Sequence, residues 1–465
     1  MKKITTLILI TLLTAAAFGQ DITGQWNGVL KVNATQLHVV FNISKSDKGY
    51  SSTMDSPDQS ANGIPVTSTA FENSILKLAV SNAHIEYQGE LKGDEIVGTF
   101  KQGGQEFPMN LSRKIVEKKT VIRPQDPIKP YPYYTEDVIF ENTQANISLA
   151  GTLSLPEKEG NFPVVILITG SGPQNRDEEI LGHKPFLVIA DYLTKNGIAV
   201  LRYDDRGIGK SKGDFKTATS ADFATDVESA IAYLKTRKEI NQQKIGLIGH
   251  SEGGLIAPMV AAKSKDINFI ILLAAPGLRG DKVLLQQQEL MAKASGASDA
   301  DIEKSQTLNV KLYDLIVKST DNQKLKDDLT SLLMETLKND STAEIPSGIT
   351  QQEFVAKQVK QISGPWMQYL IKYNPAFALE KVKCPVLAVN GEKDLQVSPK
   401  ENLSGIKTSL KKGKNKKITI IQFPNLNHLF QECKTGSPAE YATIEQTFSP
   451  IVLNEIAKWI QKQTK

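Results

Sequence analysis

Cysteine, histidine and net charge are all scarce in this chain, and each shortage narrows what it can be. There are two cysteines in 465 residues, Cys384 and Cys433. Cys384 stands just before an apolar strand, and Cys433 lies beyond the loop that leaves a later one. If those strands are parallel neighbours of five to six residues, the thiols sit at opposite ends of a sheet, more than ~15 Å apart. That exceeds disulfide reach, so both are expected to be unpaired. Lys and Arg number 55 against 51 Asp and Glu, a net charge of +4 that is too weak to imply a nucleic-acid partner. The basic run Lys411–Lys417 reads as a solvated surface turn. The five histidines form no metal-ligand spacing, and neither a metal nor a cofactor is expected. The glycine-rich stretch from Arg202 to Ser211 has neither G-x-G-x-x-G nor the Walker spacing, so it is read as a structural loop tied by Asp and Arg rather than a nucleotide site.

Long apolar runs are also missing, except at the start. Lys2 and Lys3 precede a short apolar core, Ile4 to Ala17, and Ala17-Phe18-Gly19 offers small residues for cleavage. Residues 1–19 therefore read as a signal peptide of an exported, periplasmic or secreted bacterial protein, with no transmembrane segment in the mature chain.

Residues 20–114 carry short alternating runs such as Leu37–Ile43, Ile75–Val80 and Ile85–Leu91, separated by Gly, Asp and Asn. This predicts a small all-β barrel or sandwich of unknown ligand, with His38 and His84 on strands. Residues 115–135 turn basic, then proline-rich, and read as an extended linker. From 136 to 465 buried apolar strands alternate with helices, which implies an α/β domain with a mostly parallel sheet covered on both faces. The alternation is broken at about 277–376 by a helical insertion expected to act as a lid, with apolar faces such as Leu308, Tyr313, Leu315 and Ile316 setting substrate size.

The chemistry centres on Gly249-His250-Ser251-Glu252-Gly253-Gly254. An apolar strand, Lys244 to Ile248, leads in and a helix-like run leads out. Strand, sharp turn and helix make this a nucleophile elbow with Ser251 at its tip. Such a serine needs a base and an orienting acid. Val386–Val389 runs into Asp394, and Ile418–Phe423 runs into His428. Loops at the carboxyl ends of parallel strands face one way, so Ser251, Asp394 and His428 are expected to converge. Glu392 competes with Asp394, which is favoured because it lies deeper in its loop. His250 is expected to turn toward the sheet, and His183 to play a structural part. The oxyanion hole needs two backbone donors. Glu252 N–H is one; the other should come from Thr169-Gly170-Ser171-Gly172-Pro173, with Ser171 first and Gly172 second. Glu252 and the Arg176-Asp177 pair are expected either to touch substrate or to form structural ion pairs.

These motifs, with Gly391-Glu392-Lys393-Asp394 and Asn427-His428, resemble those of α/β-hydrolases of the serine aminopeptidase-like or esterase D-like group, over residues 136 to 465. The resemblance implies a Ser-His-Asp hydrolase of carboxylic esters. Thr169 stands where many relatives have histidine, which leaves the second oxyanion donor open. The β unit resembles domains attached to such exported enzymes. The leading expectation is an exported esterase acting on a small-molecule ester. The alternatives are a serine peptidase using the same triad, and a glycan- or envelope-binding protein with incidental hydrolysis. Ser251 in the nucleophile position disfavours dehalogenase and epoxide-hydrolase chemistry.

Overall fold

The computed structural model describes residues 21–465 apart from 33–34, 48, 58–60, 84, 103–104, 115–122, 341–344 and 346–348. The signal-peptide stretch, most of the basic half of the expected linker, and His84 lie outside the described residues. The chain divides into two compact units, 1–119 and 120–465, apart from a few residues near 346. Among the described residues no helix is long and apolar enough to cross a membrane.

Among its described residues the first unit holds ten strands: β1 (Gly24–Val32), β2 (Thr35–Ser46), β3 (Gly49–Ser56), β4 (Ala61–Pro65), β5 (Ser68–Glu72), β6 (Ile75–Val80), β7 (Ile85–Lys92), β8 (Glu95–Gln102), β9 (Gln105–Pro108) and β10 (Leu111–Ser112). They form one sheet in the order β4-β3-β2-β1-β10-β8-β7-β6-β5, with β9 paired to β8. The sheet rolls until its ends approach: Val66 N–H donates to Ser52 O, and the hydroxyls of Ser52 on β3 and Thr69 on β5 lie 2.6 Å apart. Strand alternation makes the inside. On β7, Ile85, Tyr87 and Leu91 point inward while Glu86, Gln88 and Glu90 face water. Trp26, Phe41, Tyr87, Phe100 and Met109 fill that interior.

The second unit is built on an eight-stranded sheet. Its strands are β11 (Tyr134–Asn142), β12 (Ile147–Leu155), β13 (Phe162–Ile168), β14 (Ala199–Tyr203), β15 (Ile240–His250), β16 (Ile267–Leu273), β17 (Val386–Gly391) and β18 (Ile418–Phe423). The order is β11-β12-β14-β13-β15-β16-β17-β18. The β11–β12 and β12–β14 pairs are antiparallel, and all later pairs are parallel. The central strands are apolar on both faces because helices cover both. Helices α1 (Pro185–Lys195) and α11 (Pro450–Thr464) pack on one side. Helices α2 (Ser220–Leu234), α3 (Gly253–Ala261) and α10 (Pro399–Lys412), with the short α9 (Ala376–Leu379), pack on the other. Val164 to Ile168 are essentially inaccessible, and burying each such side chain contributes roughly 1.5–3 kcal/mol. This fixes the central strands whose carboxyl ends carry the site.

Between β16 and β17 the chain inserts α4 (Gly280–Ala294), α5 (Asp299–Lys318), α6 (Asn322–Asn339), α7 (Gln351–Ile362) and α8 (Pro365–Lys372). These helices have a core of their own, with Leu312, Tyr313 and Ile316 of α5 packed against Leu325, Leu329, Val355 and Val359. The apolar face of α5 is therefore turned into the insertion, not toward the strand ends as expected.

The proline-rich stretch also differs from a free linker where it is described. Gln125 accepts from the N–H groups of Thr447 and Phe448 and donates to Phe448 O, and Tyr133 donates to Asp191. Residues 123–133 are strapped onto the α/β unit because their polar side chains complete backbone groups ahead of α11. Cys384 and Cys433 are both free, as expected, and burial pushes the Cys384 thiol up to about 12.

Candidate active site

Ser251 occupies the turn between β15 and α3 with φ +51°, the left-handed region that a serine rarely adopts. The flanking glycines make that turn possible. A Cβ on Gly249 would lie 2.0 Å from Gly253 O, and one on Gly253 would lie 2.1 Å from Ile168 O. Backbone thus packs on backbone, and Ser251 is held up at the end of the sheet with its N–H donating to Leu273 O.

His428 and Asp394 meet as the strand order implied. Their loops follow adjacent strands, β18 and β17, and His428 Nδ1 lies 2.8 Å from Asp394 Oδ2. Both are buried. Asp394 Oδ1 accepts from Gln396 N–H and Val397 N–H, so the carboxylate meets only donors. Nδ1 of His428 must therefore carry the hydrogen, which leaves Nε2 as a proton acceptor. Asn427 sets the ring's loop: its Oδ1 accepts from Leu429 N–H and Gln431 N–H. Glu392 takes no part in this pair and instead accepts from Asn425 N–H.

Ser251 and His428 line one cavity of about 340 Å³. Its polar end holds Gly170, Ser171, Glu178, His250 and Glu252, and its apolar wall includes Val283 and Leu284 of α4 and Trp366, Met367 and Leu370 of α8. The lid thus contributes α4 and α8 to the cavity, while Leu308, Tyr313, Leu315 and Ile316 are absent from its lining. Among the described residues the N–H groups of Ser171, Gly172 and Glu252 meet no protein acceptor, and all three remain oxyanion-donor candidates. Gly170 N–H is engaged, donating to Glu178 Oε1 at 2.6 Å.

The Arg202–Ser211 stretch staples the loop that follows β13. Asp204 receives Arg176 through its backbone N–H and its guanidinium. Asp205 accepts from the Thr169 hydroxyl and Gln174 N–H. Arg202 pairs with Asp177 and Arg206 with Asp226. Arg176 and Asp177 are thus structural ion pairs, one of the two expected outcomes. Burial pushes the Asp205 carboxyl up to about 8, against the pull of Thr169 and Gln174 and with Glu252 and Glu178 adding to the rise. His183, as expected, is structural: its ring bridges Thr447 Oγ1 and Tyr441 O.

Comparison with known proteins agrees with this architecture. The family model described as Serine aminopeptidase, S33, matches residues 185–432, more than half of the chain. The chain belongs to this family. It is an esterase-like α/β-hydrolase. Esterase EstD of Thermotoga maritima is 28% identical over 335 residues, covering 71% of this chain and 70% of that protein. A Pyrococcus furiosus esterase covers 75% of this chain and 99% of its own, at 16% identity and a TM-score of 0.44. Est1E from Butyrivibrio proteoclasticus, solved with ferulic acid, covers 70% and 99% at 17% identity and a TM-score of 0.41. Overlaps this low carry no argument about substrate.

Within this family member, two acidic side chains on the cavity wall have defined partners. Glu252 accepts from the Ser220 hydroxyl and from Trp366 Nε1–H of the lid. Burial raises its pKa, against the hydrogen bonds of Ser220, Trp366 and Ser171. Glu178 pairs with His250, a residue that was expected to face the sheet. His250 Nε2 lies 3.0 Å from His428 O, a carbonyl that can only accept. Its Nδ1 lies 2.9 Å from Glu178 Oε1, which already accepts from Gly170 N–H. Nε2 therefore donates, and Nδ1 shares a hydrogen with the Glu178 carboxyl. Burial opposes a charge on the ring, yet Glu178, the His428 carbonyl and Asp394 together hold the His250 pKa above its usual value. Glu178 itself was missed from sequence. It sits ten residues after β13 in a loop without periodicity, and its φ of +51° gives no sequence signal.

Proposed function

We propose that the chain is an exported serine esterase acting through Ser251, His428 and Asp394. The observation that carries this reading is that His428, paired with the buried Asp394, lines the same cavity as Ser251. His428 Nε2 takes the Ser251 proton as Oγ attacks the ester carbonyl. The resulting oxyanion is held by Glu252 N–H and a donor from Ser171 or Gly172. Its collapse breaks the bond to the alkoxide, which leaves as the alcohol with the proton from His428. Water, deprotonated by the same ring, then releases the acid from the acyl-enzyme. No metal or cofactor enters the scheme.

The family's description favours a second reading, a peptidase that recognises a free amino terminus. Such a substrate needs an unpaired carboxylate for its buried ammonium. Of the two carboxyl groups on the cavity wall, Glu178 faces His250, whereas Glu252 meets only neutral hydroxyl and indole donors and, among the described residues, no cation. Glu252 is thus the group that a substrate ammonium would meet, and the preference for esters rests on the apolar wall. The wall of Leu255, Val283, Leu284, Met367 and Leu370 suits a short or medium acyl chain. The test is kcat/KM for matched ester and amide pairs together with a free-N-terminus peptide series. Esters should exceed peptides by a wide margin, and a peptide cleaved as well as the best ester would overturn the assignment. Export rests on the composition of residues 1–19, and N-terminal sequencing of the protein recovered from the cell envelope should begin at Gln20 or Asp21.

A further inference from the structure

We propose that Glu178 and His250 are positioning residues that clamp the oxyanion loop to the loop carrying His428. The inference rests on the serine-hydrolase reading above and adds how two separate parts of that machinery keep their spacing. The oxyanion donor and the general base come from loops after β13 and β18, strands at different positions in the sheet. Nothing in the sheet alone fixes the gap between those loops to the few tenths of an ångström that catalysis needs. A continuous chain of hydrogen bonds does cross it. Gly170 N–H donates to Glu178 Oε1 at 2.6 Å, His250 Nδ1 shares a hydrogen with the same oxygen at 2.9 Å, and His250 Nε2–H donates to His428 O at 3.0 Å.

Each link sits next to a reacting group. Gly170 precedes Ser171, His250 precedes Ser251, and the accepting carbonyl belongs to His428 itself. The two imidazoles are packed together, with ring centroids 4.8 Å apart. His250 and Glu178 are both buried, at 6% and 4% exposure, so their contact is shielded from water and its hydrogen bonds are correspondingly stiff. Glu178 adopts φ +51°, an arrangement that costs free energy and that the surrounding contacts must hold. The Asp204–Arg176 and Arg202–Asp177 pairs supply that hold, since they anchor the residues just before it. Neither residue touches the scissile bond in this scheme. Both act through the groups they place.

The variants are Glu178→Gln, His250→Gln, His250→Ala and Gly170→Ala. Glu178→Gln keeps an acceptor for Gly170 N–H but replaces the carboxyl oxygen that His250 Nδ1 shares. Gly170→Ala removes no polar group, but its Cβ would lie 3.3 Å from both Glu178 Oε1 and Ser251 Cβ, so it presses on the junction and on the nucleophile together. Should the buried-charge variants fail to fold, an unchanged kcat in Gly170→Ala overturns the clamp. Three quantities are read: kcat and KM on a short nitrophenyl ester, the inhibition constant of a trifluoromethyl ketone, and the unfolding temperature. The ketone's adduct with Ser251 places an oxyanion where the ester's would form. A misplaced loop should lower kcat by about 10- to 100-fold, leave KM within about threefold, and weaken the ketone in proportion to kcat. His250→Gln, which retains a donor, should keep more activity than His250→Ala. A kcat within twofold of wild type in Glu178→Gln and Gly170→Ala, or a loss carried wholly by KM, overturns the clamp. Failure of a fluorophosphonate to label Ser251 in the wild-type protein overturns the serine-hydrolase reading instead, so the two failures are distinct.

Discussion

Asp394 offers one oxygen to two backbone N–H groups and the other to His428. In Asp394→Asn an amide NH₂ must face one of these donors, and the His428 hydrogen moves to the wrong nitrogen. The fold should survive and kcat should fall by about 10⁴, as for other triad acids. Glu392→Gln keeps an oxygen for Asn425 N–H and should leave kcat nearly unchanged. Steady-state kinetics on both variants check this, and a reversed order would move the acid's role to Glu392. A second residue, Asp205, predicts a pH effect on stability. Its carboxyl titrates near 4 when unfolded but at about 8 when folded. The folded state therefore binds the proton more tightly. Asp205's contribution is complete below about pH 4, declines as pH rises, and is gone above about 8. Asp205→Asn lacks this titration, so its unfolding temperature relative to wild type should climb between those limits. Parallel pH curves for the two proteins would discard the buried-acid account. The contrast between these residues and Glu178 explains what sequence can reveal at this scale. Ser251, Asp394 and His428 each follow an apolar strand, and strand ends are legible. Glu178 and His250 meet through a contact between a loop and the end of a distant strand, which no local pattern encodes.

Helix starts in the insertion carry local capping residues. Ser298, Asp321 and Thr350 cap α5, α6 and α7 by accepting from Asp301, Lys324 and Glu353 N–H groups. Which helix faces the substrate was not. Periodicity shows that α5 has an apolar face, but it cannot say which neighbour takes that face. Leu312, Tyr313 and Ile316 went into the lid's own core, and α4 and α8 were left to line the cavity. The lining predicts a size filter at Leu284, Met367 and Leu370. Replacing Leu284 and Met367 by alanine should shift preference toward longer or bulkier acyl groups while the rate on acetate esters changes little. Leu312→Ala should do the reverse: lower the unfolding temperature through its cavity, at a cost of about 2–5 kcal/mol, and keep the chain-length profile. Profiles over a series of acyl nitrophenyl esters give the answer. An altered profile in Leu312→Ala with an unaltered one in the Leu284/Met367 variant would reassign the filter to α5.

For the whole molecule, the question is where the catalytic unit begins. Composition pointed to about residue 136, where the α/β pattern starts, and treated the preceding prolines as a spacer. The packing puts the start earlier. Arg123 donates to Leu181 O and Ile444 O, and Gln125 makes three hydrogen bonds to Thr447 and Phe448. Those partners lie in the loops that hold His183 and lead into α11. A single extended segment thus ties the loop after β13 to the C-terminal helix. Spacer-like composition hid this because proline sets backbone shape, whereas docking depends on two polar side chains. The β unit has its own core of Trp26, Phe41, Tyr87 and Phe100, so the α/β core does not depend on it for buried apolar area. A chain cut to start at residue 120 should therefore hydrolyse a small ester with nearly the kcat of the full protein. A chain cut to start at 134 loses the Gln125 bonds, worth about 1 kcal/mol each, along with those of Arg123. Its unfolding temperature should drop by several degrees relative to the 120 cut. Its activity should fall with the loosening of residues 178–183 rather than with any loss of the triad. Calorimetry and ester kinetics on the two truncations decide it. Equal stability of both would show the strap to be idle, and an inactive 120 cut would mean that the β unit takes part in hydrolysis.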